Sequence, residues 1–136
     1  MLKWKDDFSV KVSVLDDQHK ELFNLGNKIY NALKTEKEDK YDEIVRLLDE
    51  LEEYTRYHFK TEEKLLEKYG VVVSDEHKKE HEDFVIKLME AKTRDLDSNQ
   101  EKVLYGMLNF VADWITNHIL NTDKEYSQPL NEKGIY

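Results

Sequence analysis

The sequence contains no cysteine. This excludes disulfide bonds, thiolate metal sites and cysteine nucleophiles. Only 4 glycines and 1 proline interrupt the 136 residues, so few positions turn the chain or end a segment. Because hydrophobic residues make up 39% and charged residues 38%, the composition favours long amphipathic helices over many short strands.

Long hydrophobic runs and an excess of positive charge are also missing. No stretch approaches the roughly 18 uncharged apolar residues of a membrane-spanning helix. The lysines of the first seven residues are followed by no apolar run, which argues against a signal peptide. The formal net charge of -9 disfavours nucleic acid and anionic lipid as partners. We therefore expect a cytoplasmic protein that neither inserts into membranes nor binds nucleic acid.

The length of the chain fits one domain, covering residues 1–136. We find no sequence repeat, low-complexity segment or interdomain linker. A chain of this size can bury a sufficient core without a stabilising metal. Any metal that it binds is therefore expected to serve function rather than folding.

Apolar residues recur at helical spacing in four segments that follow an irregular N-terminal arm of about 16 residues. The first two patterns cover 17–33 and 41–69, and Gly70 is expected to end the second helix. Ser74 is a good N-cap for the third helix. The fourth pattern opens at Ser98 with the form of a capping box.

A short C-terminal tail is expected from about Asn121 and contains Pro129, the only proline. Four helices with short connections favour an all-α protein, an up-down-up-down four-helix bundle. Most residues of the apolar stripes are expected simply to form its core.

All five histidines fall on the inward-facing stripes of these helices, and so does Glu62. Alone, a histidine on such a stripe is usually an ordinary core residue, and a His/Glu pair four residues apart is usually an ion pair. A buried carboxylate, however, is costly unless it is paired. Because every helix contributes and no histidine is left over, the combination predicts a metal site inside the bundle. The histidines are His19, His58, His77, His81 and His118.

Asp123 is the candidate for a further ligand, five residues after His118. On a continuous helix this spacing rotates the two residues by about 140° from each other. They converge only if the helix ends or distorts between them, and the polar pair Asn121 and Thr122 makes a break plausible. Spacing alone favours a solvent-exposed tail acid.

Five imidazoles and two carboxylates are too many ligands for one tetrahedral zinc ion. The set is too rich in nitrogen for calcium or magnesium. It suits two octahedral first-row ions, and it holds fewer carboxylates than ferritin-like di-iron sites. Fewer anionic ligands should stabilise high-valent iron less, which disfavours oxygenase chemistry.

At this point the pattern resembles hemerythrin, and more closely the bacterial hemerythrin-like proteins, over essentially the whole chain. The matching elements are Trp4, the segment 16–19, and the motifs H-x-x-x-E at 58–62, H-x-x-x-H at 77–81 and H-x-x-x-x-D at 118–123. The resemblance implies that Asp123 is a metal ligand. One departure is Lys11, which stands where bacterial relatives often have glycine.

The resemblance implies two irons with unequal ligand sets: His77, His81 and His118 for one iron, and His19 and His58 for the other. Glu62 and Asp123 would bridge both irons, together with an oxo or hydroxo group. Dioxygen would bind reversibly at the open position of the two-histidine iron. The implied pocket is apolar, and its residues are Phe59, Phe84, Trp114, Ile115, Ile119 and Leu120.

We therefore expect a non-enzymatic protein, without catalytic residues, that binds dioxygen for carriage, storage, delivery or sensing. The alternatives are a di-iron enzyme, namely a peroxidase, an oxidase or a nitric oxide scavenger, and an iron-buffering protein. A protein partner for oxygen delivery or signalling is compatible with this interpretation. The sequence leaves open whether the chain is a monomer or a homo-oligomer.

Overall fold

The computed structural model describes residues 2–35, 39–93 and 96–136, although not the side chains of 96–99. Within these ranges the chain is helical and forms no strand, which confirms the all-α prediction. The four long helices are α1 (Ser13–Lys34), α2 (Tyr41–Lys68), α3 (Asp75–Lys92) and α4 (Leu96–Asn117).

Short helical elements flank these four. A 3₁₀ turn, Asp6–Phe8, lies in the N-terminal arm. After α4 the chain continues through a π-helical turn (His118–Thr122), a second 3₁₀ turn (Asp123–Tyr126) and the short helix α5 (Ser127–Glu132). The predicted tail is therefore mostly helical, and Leu130 of α5 is fully buried.

The bundle arises because each helix buries one apolar stripe. Helix α1 packs on α2 and α4, and α3 packs on the same two helices. Short connections place successive helices antiparallel, as the up-down-up-down prediction requires. No helix in the described part of the chain is long and apolar enough to cross a membrane.

Two helices begin earlier than predicted. Helix α1 starts at Ser13 rather than at residue 17, because the Asp16 carboxylate accepts hydrogen bonds from Ser9 Oγ and the Val10 amide. These bonds fold the end of the arm onto the first turn of the helix. Helix α4 starts at Leu96, two residues before Ser98. The Ser98 side chain lies outside the described residues, so its role in a capping box stays a prediction.

The N-terminal arm packs against the bundle through aromatic rings. The ring centroids of Trp4 and Phe8 lie 5.5 and 5.0 Å from that of Phe23 in α1. Lys11 has φ 60°, in the left-handed region that favours glycine. The lysine adopts this conformation at a steric cost that a glycine would avoid.

Candidate metal centre

Seven side chains with metal-ligating atoms converge inside the bundle, and none is more than 5% exposed. Helix α1 supplies one of them, α2 two, α3 two, and the segment after α4 the remaining two. They are His19, His58, Glu62, His77, His81, His118 and Asp123. These are all seven residues that the sequence singles out, and they form two groups that share Glu62 and Asp123.

Regular helix geometry explains two of the pairs. His58 and Glu62 lie four residues apart on α2, and His77 and His81 lie four apart on α3, so each pair points from one face. Helix α3 begins beside the first of its histidines, because Ser74 Oγ accepts a hydrogen bond of 3.0 Å from the His77 amide. This contact confirms Ser74 as the predicted N-cap.

The five-residue spacing of His118 and Asp123 depends on the π-helical turn. The Asp123 amide donates a hydrogen bond to the His118 carbonyl, which encloses one more residue than an α-helical turn. His118 Nε2 consequently lies 2.9 Å from Asp123 Oδ1. The helix is therefore distorted between these residues, as their convergence requires.

Glu62 divides its two oxygens between the two groups. Its Oε1 lies 2.8 Å from His77 Nε2 and 3.3 Å from His81 Nε2. Its Oε2 lies 3.5 Å from His58 Nε2 and 3.8 Å from His19 Nε2. Glu62 therefore presents one oxygen to the group with three histidines, His77, His81 and His118, and its other oxygen to the group with two, His19 and His58.

Asp123 divides its oxygens in the same sense. Its Oδ1 lies near His118 and 3.1 Å from His77 Nε2. Its Oδ2 lies 3.1 Å from His19 Nε2. In each contact the histidine presents Nε2, so all of these rings are oriented towards the two carboxylates.

Several buried polar atoms in this cluster have no hydrogen-bond partner among the described residues. They are both ring nitrogens of His19, Nδ1 of His118 and both carboxylate oxygens of Asp123. The distances around Asp123 are short, but they lack the alignment of hydrogen bonds. Buried polar atoms are rarely left unpaired in proteins. Imidazole nitrogens and carboxylate oxygens of this kind are ligands for first-row metals, so the residues present fit a pair of ions.

The cluster is also electrostatically coupled in its metal-free form. Burial opposes charge on His19 and His77, but the carboxylates of Asp123 and Glu62 beside them raise their pKa values to about 9 and about 10. Although burial acts in the opposite direction, the histidines hold the pKa values of Glu62 and Asp123 below the usual carboxyl range. Burial lowers the pKa of His58 to about 4. Metal binding must therefore displace protons from His19 and His77 at neutral pH.

A second layer of polar residues contacts the cluster. Gln18 Oε1 lies 2.7 Å from His58 Nδ1, and the Tyr126 hydroxyl donates a 3.0 Å hydrogen bond to Glu62 Oε2. Neither residue was predicted as a partner of the cluster. Gln18 is an amide on the buried, mostly apolar face of α1, which is a usable signal, whereas Tyr126 reaches Glu62 only through the fold of the tail.

Two acids belong to the same layer. Glu63 Oε1 lies 3.2 Å from His81 Nδ1, and Glu80 Oε1 lies 3.5 Å from His118 Nδ1. Neither acid was predicted, because charged residues are so common on these helices that their sequence positions carry no signal.

Three of the six predicted pocket residues form an aromatic wall. Phe59 stacks on His81 with ring centroids 3.9 Å apart, and Trp114 stacks on His118 at 4.1 Å. Phe84 packs edge-on against Phe59, with centroids 5.9 Å apart, and at a tilt against Trp114, with centroids 4.5 Å apart. This wall covers the three-histidine side, whereas the open position was expected on the two-histidine side.

The other three predicted pocket residues lie on α4 and the π turn. Ile115 and Ile119 are fully buried, and Leu120 is half-buried. Their contact with a bound gas molecule stays a prediction.

Comparison with known proteins gives a consistent result. The family model described as the hemerythrin HHE cation binding domain matches residues 10–128. The chain is 40% identical over 127 residues to a bacteriohemerythrin of Clostridium acetobutylicum, covering 93% of this chain and 98% of that one. It is 33% identical over 125 residues to a bacteriohemerythrin of Methylococcus capsulatus, covering 92% of each. A crystal structure of wild-type hemerythrin superposes with a TM-score of 0.74 at 30% identity, covering 94% of this chain and 96% of that one.

Proposed function

The chain belongs to the hemerythrin family, which implies binding of non-haem iron, and from this premise we propose that it holds two irons and binds dioxygen reversibly. Its role would be carriage, storage, delivery or sensing of the gas rather than chemical turnover. Glu62 and Asp123 are the proposed bridging ligands.

The observation that carries this proposal is the division of both carboxylates between two groups of histidines. Each carboxylate offers one oxygen to the three-histidine group and the other oxygen to the two-histidine group. A single metal site would use one group and would leave the other carboxylate oxygens unexplained. Two sites that share two carboxylates use all seven side chains.

The unequal groups supply the place where the gas would bind. Two shared carboxylates and three histidines would give one ion five protein ligands, whereas the other ion would have four. The two-histidine side, with His19 and His58, would therefore keep an open position for the gas. When bound there, iron would supply the redox chemistry that reversible dioxygen binding needs.

The protein's own residues prepare this side of the centre. His19 and His58 are fully buried, so bulk water has little access to them. Exclusion of water and protons is expected to slow irreversible oxidation of the iron. Tyr126 holds a proton on its hydroxyl, 3.0 Å from Glu62 Oε2.

The direct test is iron analysis followed by oxygen binding. We expect about two irons per chain, and a colour that appears on exposure of the reduced protein to air and disappears when oxygen is removed. One iron per chain, stoichiometric zinc in protein from iron-replete cells, or irreversible oxidation without an oxygenated form would contradict the proposal. Zinc must be measured because its intrinsic affinity exceeds that of ferrous iron.

Two histidine variants test the unequal assignment. His58→Ala should abolish the oxygenated spectrum, because it leaves the oxygen-binding iron with one imidazole. His77→Ala removes one of three imidazoles from the other iron and should lose iron too, with a less complete effect on oxygen binding. Lys87→Ala, an exposed change on α3, is the control. The assignment fails if His58→Ala retains two irons and normal oxygen binding.

A di-iron peroxidase is the second candidate, and the buried Tyr126 hydroxyl favours it. This proton donor lies on the Glu62 oxygen that faces the two-histidine group. If it delivers a proton during peroxide reduction, Tyr126→Phe should abolish peroxidase activity while the iron content stays unchanged. If Tyr126→Phe has the same peroxidase activity as the wild-type protein, Tyr126 is not the proton donor and this second candidate is contradicted.

A further inference from the structure

The outward-facing nitrogens of three histidines have partners of different charge. On the two-histidine side, His58 Nδ1 meets the neutral amide of Gln18 at 2.7 Å. On the three-histidine side, His81 Nδ1 meets the carboxylate of Glu63 at 3.2 Å. The polar surroundings of the centre are therefore asymmetric in charge.

Glu80 adds to this asymmetry. Its Oε1 lies 3.5 Å from His118 Nδ1, and that nitrogen forms no hydrogen bond among the described residues, so the contact is one of charge and proximity. Glu80 is itself held in place, because Thr122 Oγ1 lies 3.0 and 2.7 Å from its two carboxylate oxygens. Thr122 ends the π turn that begins at His118. The contact therefore joins α3 to the backbone turn that carries the histidine.

A carboxylate beside the distal nitrogen of a metal-bound imidazole has two effects. It fixes the tautomer and orientation of the ring, and it makes the imidazole a stronger donor to the metal. Added negative charge and stronger donation both favour the higher oxidation state of the ion. A neutral amide such as Gln18 can orient His58 equally well but contributes no charge.

We propose that Glu63 and Glu80 are positioning residues which act through His81 and His118 to make the three-histidine iron the harder of the two to reduce. A one-electron reductant would then place its first electron on the two-histidine iron, the same ion that would keep the open position. This inference rests on the proposed di-iron centre.

The experiment compares the two successive reduction potentials of the iron-loaded protein. Glu80→Gln and Glu63→Gln keep the size of each side chain and remove its charge. In each variant the second reduction step should be easier. At a fixed potential the ratio of reduced to oxidised iron should rise about tenfold, which corresponds to a shift of about 59 mV in the potential of a one-electron step. The first step should change much less.

Three further variants test whether the potentials depend on the charges beside the histidines rather than on the total charge of the protein. Glu90→Gln removes the same charge from α3 at an exposed position nine residues beyond His81, and should leave both potentials unchanged. Thr122→Val keeps the Glu80 charge but frees the carboxylate, and should shift the second step in the same direction by less. Gln18→Glu adds charge to the two-histidine side and should make the first step harder.

Iron content and the unfolding transition of each metal-free variant are measured in parallel, so that loss of metal or of folding is recognised. Wild-type potentials in both glutamine variants, with two irons retained, would overturn this inference and leave the proposed function intact. A wild-type protein that does not hold two irons would overturn both.

Discussion

Asp123 reaches the other candidate ligands because the backbone widens into the π turn after α4. Replacing Asp123 with Asn keeps the size of the side chain but removes its charge, and a neutral amide bridges two cations poorly. We expect Asp123→Asn to yield a folded, helical protein with depleted iron and little oxygen binding. Metal analysis and circular dichroism test this expectation.

Asp113→Asn is the matched control, since it removes the same charge from an exposed position of α4. It should keep both irons. If Asp123→Asn also retains two irons and a wild-type oxygenated spectrum, Asp123 is not a ligand.

Lys11 adopts a left-handed backbone conformation that costs a residue with a Cβ atom about 1–2 kcal/mol. Glycine avoids this cost but loses about 0.4–1 kcal/mol through the greater freedom of the unfolded chain. We therefore expect Lys11→Gly to raise the free energy of unfolding by about 0.5–1 kcal/mol, measured by chemical denaturation. Lys11→Ala keeps the strain and should be close to neutral. Equal stabilities of the glycine and alanine variants would show that the backbone is not strained here.

Among the elements, helix α3 links secondary structure to the centre through its first turn. Ser74 caps the helix by accepting from the amide of His77, itself a candidate ligand. Ser74→Ala should lower the free energy of unfolding by about 1 kcal/mol. It should also speed iron release, because the backbone that carries His77 loses a constraint.

The rate of iron transfer to a chelator measures this second effect. Ser74→Asp retains a capping oxygen and should behave like the wild-type protein in both assays. A variant Ser74→Ala that is destabilised but releases iron at the wild-type rate would show that the cap does not help to hold His77.

The elements also show which features could be predicted from sequence. Helical periodicity is repeated many times along each stripe, so the four helices and the inward direction of His19, His58, His77, His81 and His118 were predictable. An end or distortion of the helix was predicted only as a requirement of the His118–Asp123 spacing, and its form as a π turn was not predicted. Its exact place depends on packing of the following segment, where Tyr126 and Leu130 are buried.

The acidic partners of the histidines were not predictable from sequence alone. Glu63 and Glu80 are two of many acidic residues on α2 and α3, and only the packing of the helices brings them beside His81 and His118. Likewise, residues in the arm before α1 follow no periodic pattern. The early start of α1 depends on local hydrogen bonds to Asp16.

For the molecule as a whole, the coupled cluster predicts how the stability of the metal-free protein depends on pH. The pKa values of His19 and His77 are raised from 6.5 to about 9 and about 10. Their contribution to stability is fully present below pH 6.5 and is lost as the pH rises through these values. The melting temperature of the metal-free protein should therefore fall between pH 7 and pH 10.

Acid should destabilise the metal-free protein by a different route. The pKa of His58 is about 4 in the folded protein and 6.5 in the unfolded chain. As the pH falls below 6.5, the unfolded chain therefore binds a proton at this histidine while the folded protein does not, and this favours unfolding. The lowered pKa values of Glu62 and Asp123 act in the same direction at still lower pH. Stability should therefore be greatest near pH 6.5.

Iron-loaded protein and a His77→Gln variant are the controls for the alkaline part of this profile. Metal-bound histidines are already deprotonated, so the loaded protein should not lose this contribution between pH 7 and pH 10. His77→Gln in its metal-free form should show a smaller alkaline loss than the wild-type protein. Identical profiles for all three would rule out His19 and His77 as the cause.

The distribution of the seven side chains over the whole bundle has a consequence for biosynthesis. They extend from His19 to Asp123, and the chain is synthesised from its N-terminus. Asp123, the last of these candidate ligands, is made after all four helices, so the complete set cannot come together while the first helices are emerging from the ribosome. If the centre is as proposed, its loading with metal would therefore be completed only after all four helices have been synthesised.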